Sequence, residues 1–134
     1  MTVTDADDLP EHVRLNRASW DRAAAEYVGP GERAWATDEP AWGIFGVPEA
    51  EVGFFRTELA DKDVIELGCC TGYVSAWIAR RGGRPVGIDN SPRQLEAAAR
   101  FQRAHGMHRI TWPDDEPLSA SLAVSAPEGE RRCT

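Results

Sequence analysis

The ten residues VIELGCCTGY, 64–73, constrain this chain more than any other stretch. A short apolar run, Val64, Ile65 and Leu67, reads as a buried strand with an acid, Glu66, near its end. Gly68 and Gly72 follow. Val74, Trp77, Ile78 and Arg81 then recur at helical spacing until Gly82 and Gly83 stop the helix. PVGID, 85–89, reads as a second strand, and SPRQ, 91–94, as a helix start. Ser91 can cap, Pro92 suits the first helical position, and Gln94 can complete a capping box. That helix runs to about His105, and Gly106 closes it. Strand, glycine turn, helix, strand, turn, helix is a βαβ unit with parallel strands and a right-handed crossover. Ligands of such units sit at the carboxyl ends of the strands.

The glycine turn carries the chemistry, because backbone without a Cβ can approach a ligand closely. The dinucleotide fingerprint G-x-G-x-x-G, laid on Gly68, demands glycine at 70 and 73, where the chain has Cys70 and Tyr73. The spacing acid-x-G-x-x-x-G is met by Glu66, Gly68 and Gly72. Asp89 ends the second strand. A carboxylate there can accept both hydroxyl hydrogens of an adenosine ribose; its other reading is a turn residue ahead of the Ser91 cap. Cys70 stands between the two glycines. A positive φ there costs about 1 kcal/mol, and a negative one almost nothing.

Around this unit the chain divides into four stretches. Residues 1–10 are polar and acidic and read as disordered. Residues 11–60 read as a helical and aromatic cap. In it Val13, Trp20, Ala24 and Tyr27 share a helix face, GPG at 29–31 ends the helix, and 31–47 is irregular. Trp35, Trp42 and Phe45 make that irregular stretch either a lid over a ligand or the cover of a small core. Pro48 then opens a helix with Val52, Phe55 and Leu59 as its apolar stripe, and 60–63 is a polar turn. Residues 61–112 hold the βαβ unit, with HRITW as a candidate third strand. Residues 113–134 read as an irregular tail.

Composition excludes several classes. The 134 residues suffice for one domain, and a net charge of −7 disfavours nucleic acid as a bulk electrostatic partner. Arg80, Arg81 and Arg84 cluster, but at a helix end they read as solvated charge. No run approaches the ~18 apolar residues of a membrane span, and the N-terminus lacks the basic and apolar regions of a secretory signal. Cys69, Cys70 and Cys133 are odd in number and lack zinc spacing, so the expectation is a reducing cytoplasm and no metal. Adjacent Cys69 and Cys70 are poorly placed for a disulfide. His12, His105 and His108 fall in no motif.

The stretch from Val64 to Gly106 resembles the first half of a class I S-adenosylmethionine-dependent methyltransferase. ELGCCTG resembles that family's first motif, which carries glycine at the position of Cys70. GIDNSPRQLEAAAR resembles its second-strand acid and following helix. NRASWDRAAAEY and PAWGIFGVPEAEV are similar to the N-terminal cap of small-molecule members. The resemblance implies a partial Rossmann-like α/β fold and S-adenosylmethionine (SAM) as cofactor. It implies that Glu66 orients the loop and the amino-acid end of the cofactor, and that Gly68, Cys69, Cys70 and Gly72 pack backbone against it. Asp89 would hold the ribose with Asn90 and Gln94 nearby, and Tyr27 would cover the cofactor. It implies methyl transfer to a small-molecule acceptor and names no catalytic base. The family's later strands and the acidic strand end expected after Gly106 are not recognisable, so the chain reads as a truncated or frame-altered member. The alternative is a non-catalytic SAM-binding or interaction fragment that needs a partner. An NAD-dependent oxidoreductase is disfavoured by the misses at 70 and 73.

Overall fold

The computed structural model describes residues 9–55 and 58–113. The expectations of disorder over 1–10 and of an irregular tail over 113–134 fall, apart from residues 9, 10 and 113, outside the described residues. Among the described residues, four helices and four strands follow in the order α1 (Glu11–Trp35), β1 (Ala41–Trp42), β2 (Val47–Pro48), α2 (Glu49–Val52), β3 (Asp63–Leu67), α3 (Tyr73–Arg80), β4 (Arg84–Ile88) and α4 (Pro92–Ala104).

The centre is the βαβ unit that the glycine turn announced. β3 and β4 pair in parallel from Asp63 opposite Arg84 to Leu67 opposite Ile88. The expected third strand is present as a single parallel bridge. Thr111 pairs with Val86, its N–H donating to the Pro85 carbonyl at 3.1 Å and its carbonyl accepting the Gly87 N–H at 3.0 Å. The start of α4 is as read from SPRQ: Ser91 Oγ accepts the Gln94 N–H, and Pro92 fills the first helical position. The reciprocal half of the capping box is missing. The Gln94 amide is only 1% exposed and has no partner among the described residues.

Three expectations are corrected. α1 does not stop at GPG; it runs through Pro30 to Trp35. A proline in a helix removes one hydrogen bond, but here packing outweighs the loss. Gly31 lies so close to Thr71 that a Cβ on it would stand 2.5 Å from Thr71 Oγ1. Trp35 is fully buried, stacks on His105, meets Phe101 at a tilt, and donates its indole N–H to the Thr71 carbonyl at 2.7 Å. The orphaned carbonyls at the end of α1 are satisfied by Trp77 and Arg80 of α3.

The second correction concerns the helix after Pro48, which is one turn only. Gly53 takes a left-handed φ of 61°, and the Phe55 N–H turns back to Glu49 Oε1 at 2.6 Å. The stripe Val52–Phe55–Leu59 therefore does not form. Phe54 and Phe55 instead meet Trp42, whose indole also reaches Glu49. Trp42 further packs edge-on against Trp77, so this part of the aromatic stretch covers the core. The irregular reading of 31–47 also gives way to the end of α1 and a short antiparallel ribbon, β1 with β2.

The third correction concerns β3, which is not buried. Ile65 is 44% and Leu67 75% exposed. Helices α1, α3 and α4 instead enclose a core of Trp35, Ala76, Ala79, Ala97, Phe101 and Ile110. The arginine cluster is not free surface charge either. Arg80 caps α1, Arg81 lies over the Phe55 ring at 5.3 Å, and Arg84 pairs with Asp63 at 2.8 Å.

Candidate functional site

The carboxyl ends of β3 and β4 each open into a tight loop, and one side chain ties the two together. Asp89 Oδ2 accepts the Cys70 N–H at 2.9 Å, and Asp89 Oδ1 accepts the Ser91 N–H at 2.8 Å. The turn reading of Asp89 is present, and its second oxygen makes a further bond to the glycine loop. It closes the turn before α4 and holds the glycine loop. An ionised carboxylate has about four acceptor positions, so two bonds leave room for hydroxyl donors. Asp89 stays half-buried at the rim, and Gly68 and Cys69 both anchor to the Ile88 carbonyl beside it, at 2.8 and 2.9 Å.

The two glycines of the motif play different parts. Both have left-handed φ, 72° at Gly68 and 76° at Gly72. A Cβ on Gly68 would meet nothing within 4 Å. A Cβ on Gly72 would stand 2.2 Å from the Trp112 ring, and one on Gly87 2.4 Å from the same ring. The expectation that Gly72 opens space for a ligand is therefore corrected: the space on it is filled by Trp112, whose indole N–H is held by Gln102 Oε1 at 2.6 Å. Gly68 is the position that leaves the loop backbone accessible. Between them Cys70 takes a φ of 51°, so the strained branch of the sequence reading applies.

Glu66 turns inward. One oxygen, Oε2, accepts both the Ser75 N–H at 2.9 Å and the Ser75 hydroxyl at 2.5 Å. This bond fixes the first turn of α3 against β3. Burial raises the Glu66 pKa, the Ser75 bonds oppose that, and the nearby Asp89 charge adds to it. The thiols of Cys69 and Cys70 are both pushed up, first by burial and then by the Glu66 and Asp89 charges. They stay protonated near neutral pH, so neither is a candidate nucleophile.

Helix α1 lies across both loops. Near its start, Arg17 Nε donates to the Asn90 backbone oxygen at 3.0 Å and to Asn90 Oδ1 at 3.1 Å, and Asn90 Nδ2 reaches the Val13 carbonyl at 3.2 Å. Asp21 takes the Ser91 hydroxyl. At its end, Gly31 and Trp35 seat on Thr71. Asn90, expected beside a ligand, is thus bound up in anchoring this helix, and Gln94 points its amide into the interior. Tyr27 stands one turn before Gly31 on the same helix face, 39% exposed, with its ring 5.8 Å from that of Trp20.

The structure brings Glu66, Gly68, Cys69, Cys70 and Asp89 together, with Tyr27 on the crossing helix. Sequence reasoning missed Thr71, Ser75, Trp112, Arg17 and Asp21. Only Ser75, in the first turn of a helix beside an acid-ended strand, left a local signal. The others act across 36 to 73 residues of chain and leave none. A separate apolar cleft of about 410 Å³ lies along β3, walled by Trp42, Phe54, Phe55, Ile65, Leu67 and Val74.

Residues 64–123 match the family model described as a methyltransferase domain. The match begins at β3, takes in both loops and Trp112, and continues past Gly106, where the sequence pattern was no longer recognisable. Among solved structures, the chain is similar to a protein from a study titled "Conversion of a Disulfide Bond into a Thioacetal Group during Echinomycin Biosynthesis". The identity is 25%, the TM-score 0.47, and the match covers 72% of this chain and 39% of that one. The chain thus spans about two fifths of that protein's length. No curated protein matches it. No described helix is long and apolar enough to cross a membrane. The described residues form a partial Rossmann-like α/β fold, and the match to a methyltransferase domain spans residues 64–123.

Proposed function

We propose that the chain binds SAM in the crevice beyond the carboxyl ends of β3 and β4, and that the domain serves methyl transfer to a small-molecule acceptor. The observation that carries this reading is the Asp89 bridge. A half-buried carboxylate holds the glycine loop and the α4 turn together and keeps acceptor positions for a vicinal diol. The residues fit the cofactor in three places. Gly68 leaves the loop backbone open, Asp89 supplies ribose acceptors, and Tyr27 supplies an exposed aromatic face.

When bound, the sulfonium cofactor supplies an activated methyl group for direct displacement by a nucleophile. The protein's part is alignment and exclusion of water. Glu66 holds α3 and the loop in register through Ser75. Cys69 and Cys70 contribute backbone, not thiolate chemistry. No described side chain is assigned as a base.

A second reading, a SAM-binding module without transferase activity of its own, is favoured by the outer side of β3, where Ile65 and Leu67 stand exposed among the described residues. Transfer of labelled methyl from SAM to small molecules of a cell extract separates the two. Labelled product supports the transferase. SAM binding with no product supports the module.

A further inference from the structure

The two residues that follow Asp89 in the chain are both held by α1. Arg17 Nε donates to the Asn90 carbonyl and to its side chain. Asp21 Oδ1 accepts the Ser91 hydroxyl, and it also accepts the Arg93 N–H at 3.4 Å. Ser91 is the centre of this arrangement. It is fully buried. Its N–H donates to Asp89 Oδ1 at 2.8 Å, its Oγ accepts the Gln94 N–H at 3.3 Å, and its hydroxyl proton goes to Asp21.

The bond to Asp21 bears on Asp89 because a buried hydroxyl has to place its proton. A donor shut away from water and left unpaired is costly, so without Asp21 the Ser91 proton turns to another acceptor. Asp89 is the other carboxylate bonded to Ser91, through the N–H of the same residue. An ionised carboxylate accepts at about four positions, two on each oxygen. The Cys70 N–H takes one on Oδ2 and the Ser91 N–H takes one on Oδ1, which leaves one on each oxygen. A vicinal diol needs both, one for each hydroxyl. A Ser91 hydroxyl turned onto Asp89 would occupy one of them.

Resting on the reading of Asp89 as a ribose acceptor, we infer that Asp21 is a positioning residue for the diol of the ligand. By drawing the Ser91 hydroxyl toward α1, it keeps the two remaining acceptor positions of Asp89 open. It acts through Ser91 and not by touching the ligand. A plainer role is an anion that caps α4 through the Arg93 N–H. That role supports the fold and serves every ligand alike. The two roles therefore differ in what they do to a ligand without the diol.

The test is titration calorimetry of the full chain with S-adenosylhomocysteine and with its 2′,3′-dideoxy analogue, with circular dichroism to check that each variant folds. The unaltered chain is expected to prefer the diol about a hundredfold, from two charge-assisted hydrogen bonds at about tenfold each. Asp21→Ala lowers that preference about tenfold, because one acceptor position is then taken. Asp21→Asn keeps a side-chain oxygen for the Ser91 hydroxyl and restores the preference. In a Ser91→Ala background no hydroxyl competes, so adding Asp21→Ala changes the preference no further. That double variant decides the matter if Asp21→Ala alone does not fold, since removing both partners of a buried bond leaves neither unpaired. Equal weakening of both ligands by Asp21→Ala, or a diol preference lost in the double variant, overturns this inference and leaves the reading of the crevice standing. Folded protein that binds neither nucleoside overturns that reading, and this inference with it.

Discussion

The two sides of β3 are built on opposite terms. On the inner side β4 pairs with it residue for residue, α3 is pinned to it by the Glu66–Ser75 bonds, and α1 and α4 close the core behind. On the outer side the same five residues expose Ile65 and Leu67 beside a cleft of aromatic rings. The inner side needs no partner to hold the loops that face a ligand. The outer side exposes Ile65 and Leu67 among the described residues and carries the charge of Asp63 at its start. The ligand-facing loops are therefore held from the inner side, and the two sides can be altered separately.

The largest effect is expected where the glycine motif is structural. Gly72→Ala sets a Cβ 2.2 Å from the Trp112 ring on a left-handed backbone, and destabilises by about 3 kcal/mol in thermal or denaturant unfolding. Gly68→Ala shares the left-handed φ but meets no atom within 4 Å, so it loses only about 1 kcal/mol of stability while its Cβ intrudes on the ligand side of the loop. Equal destabilisation by the two would contradict the division of labour between these glycines.

Next in size is Asp89→Asn. Losing a charge-assisted acceptor weakens nucleoside binding by about 2 kcal/mol, some thirtyfold, with a smaller loss of stability from the Cys70 and Ser91 bonds. Titration calorimetry beside a melting curve reads both. Cys70→Gly removes the cost of a φ of 51° and stabilises by up to about 1 kcal/mol, less the extra freedom glycine gives the unfolded chain.

The smallest effect is a pH dependence. The folded-state pKa of Glu66 is raised, so between its unfolded value and its folded one the native state holds a proton that the unfolded chain releases. Stability from this group is present below the unfolded value and falls as pH rises through that window. Glu66→Gln removes that fall and flattens the acid side of a stability–pH profile. An unchanged profile would mean the carboxyl is not buried as described.

Much of this was legible because it is local. The acid–glycine spacing at 66, 68 and 72, the Ser91–Pro92 start of α4 and the glycine stops at 82 and 106 are short-range signals, and each sits where read. What was missed is long-range. Nothing near Pro30 says that α1 continues; the reason is Thr71, forty residues on, seated against Gly31. Nothing near Gly72 says that Trp112 fills the space its missing Cβ leaves. The run Val64, Ile65, Leu67 was read as buried because apolar strands usually are. Its exposure depends on neighbours that a strand's own sequence does not specify. Val52, Phe55 and Leu59 keep helical spacing across Gly53 and so suggest a longer α2, but the left-handed φ of Gly53 ends the helix after one turn.

The most direct test of the ligand-facing side is a calorimetric titration of the folded full chain with SAM, S-adenosylhomocysteine and NAD. The account predicts saturable binding of the two adenosylated sulfur compounds, weakened about thirtyfold in Asp89→Asn, and no binding of NAD. Folded protein that binds neither sulfur compound, or that prefers NAD, would contradict it.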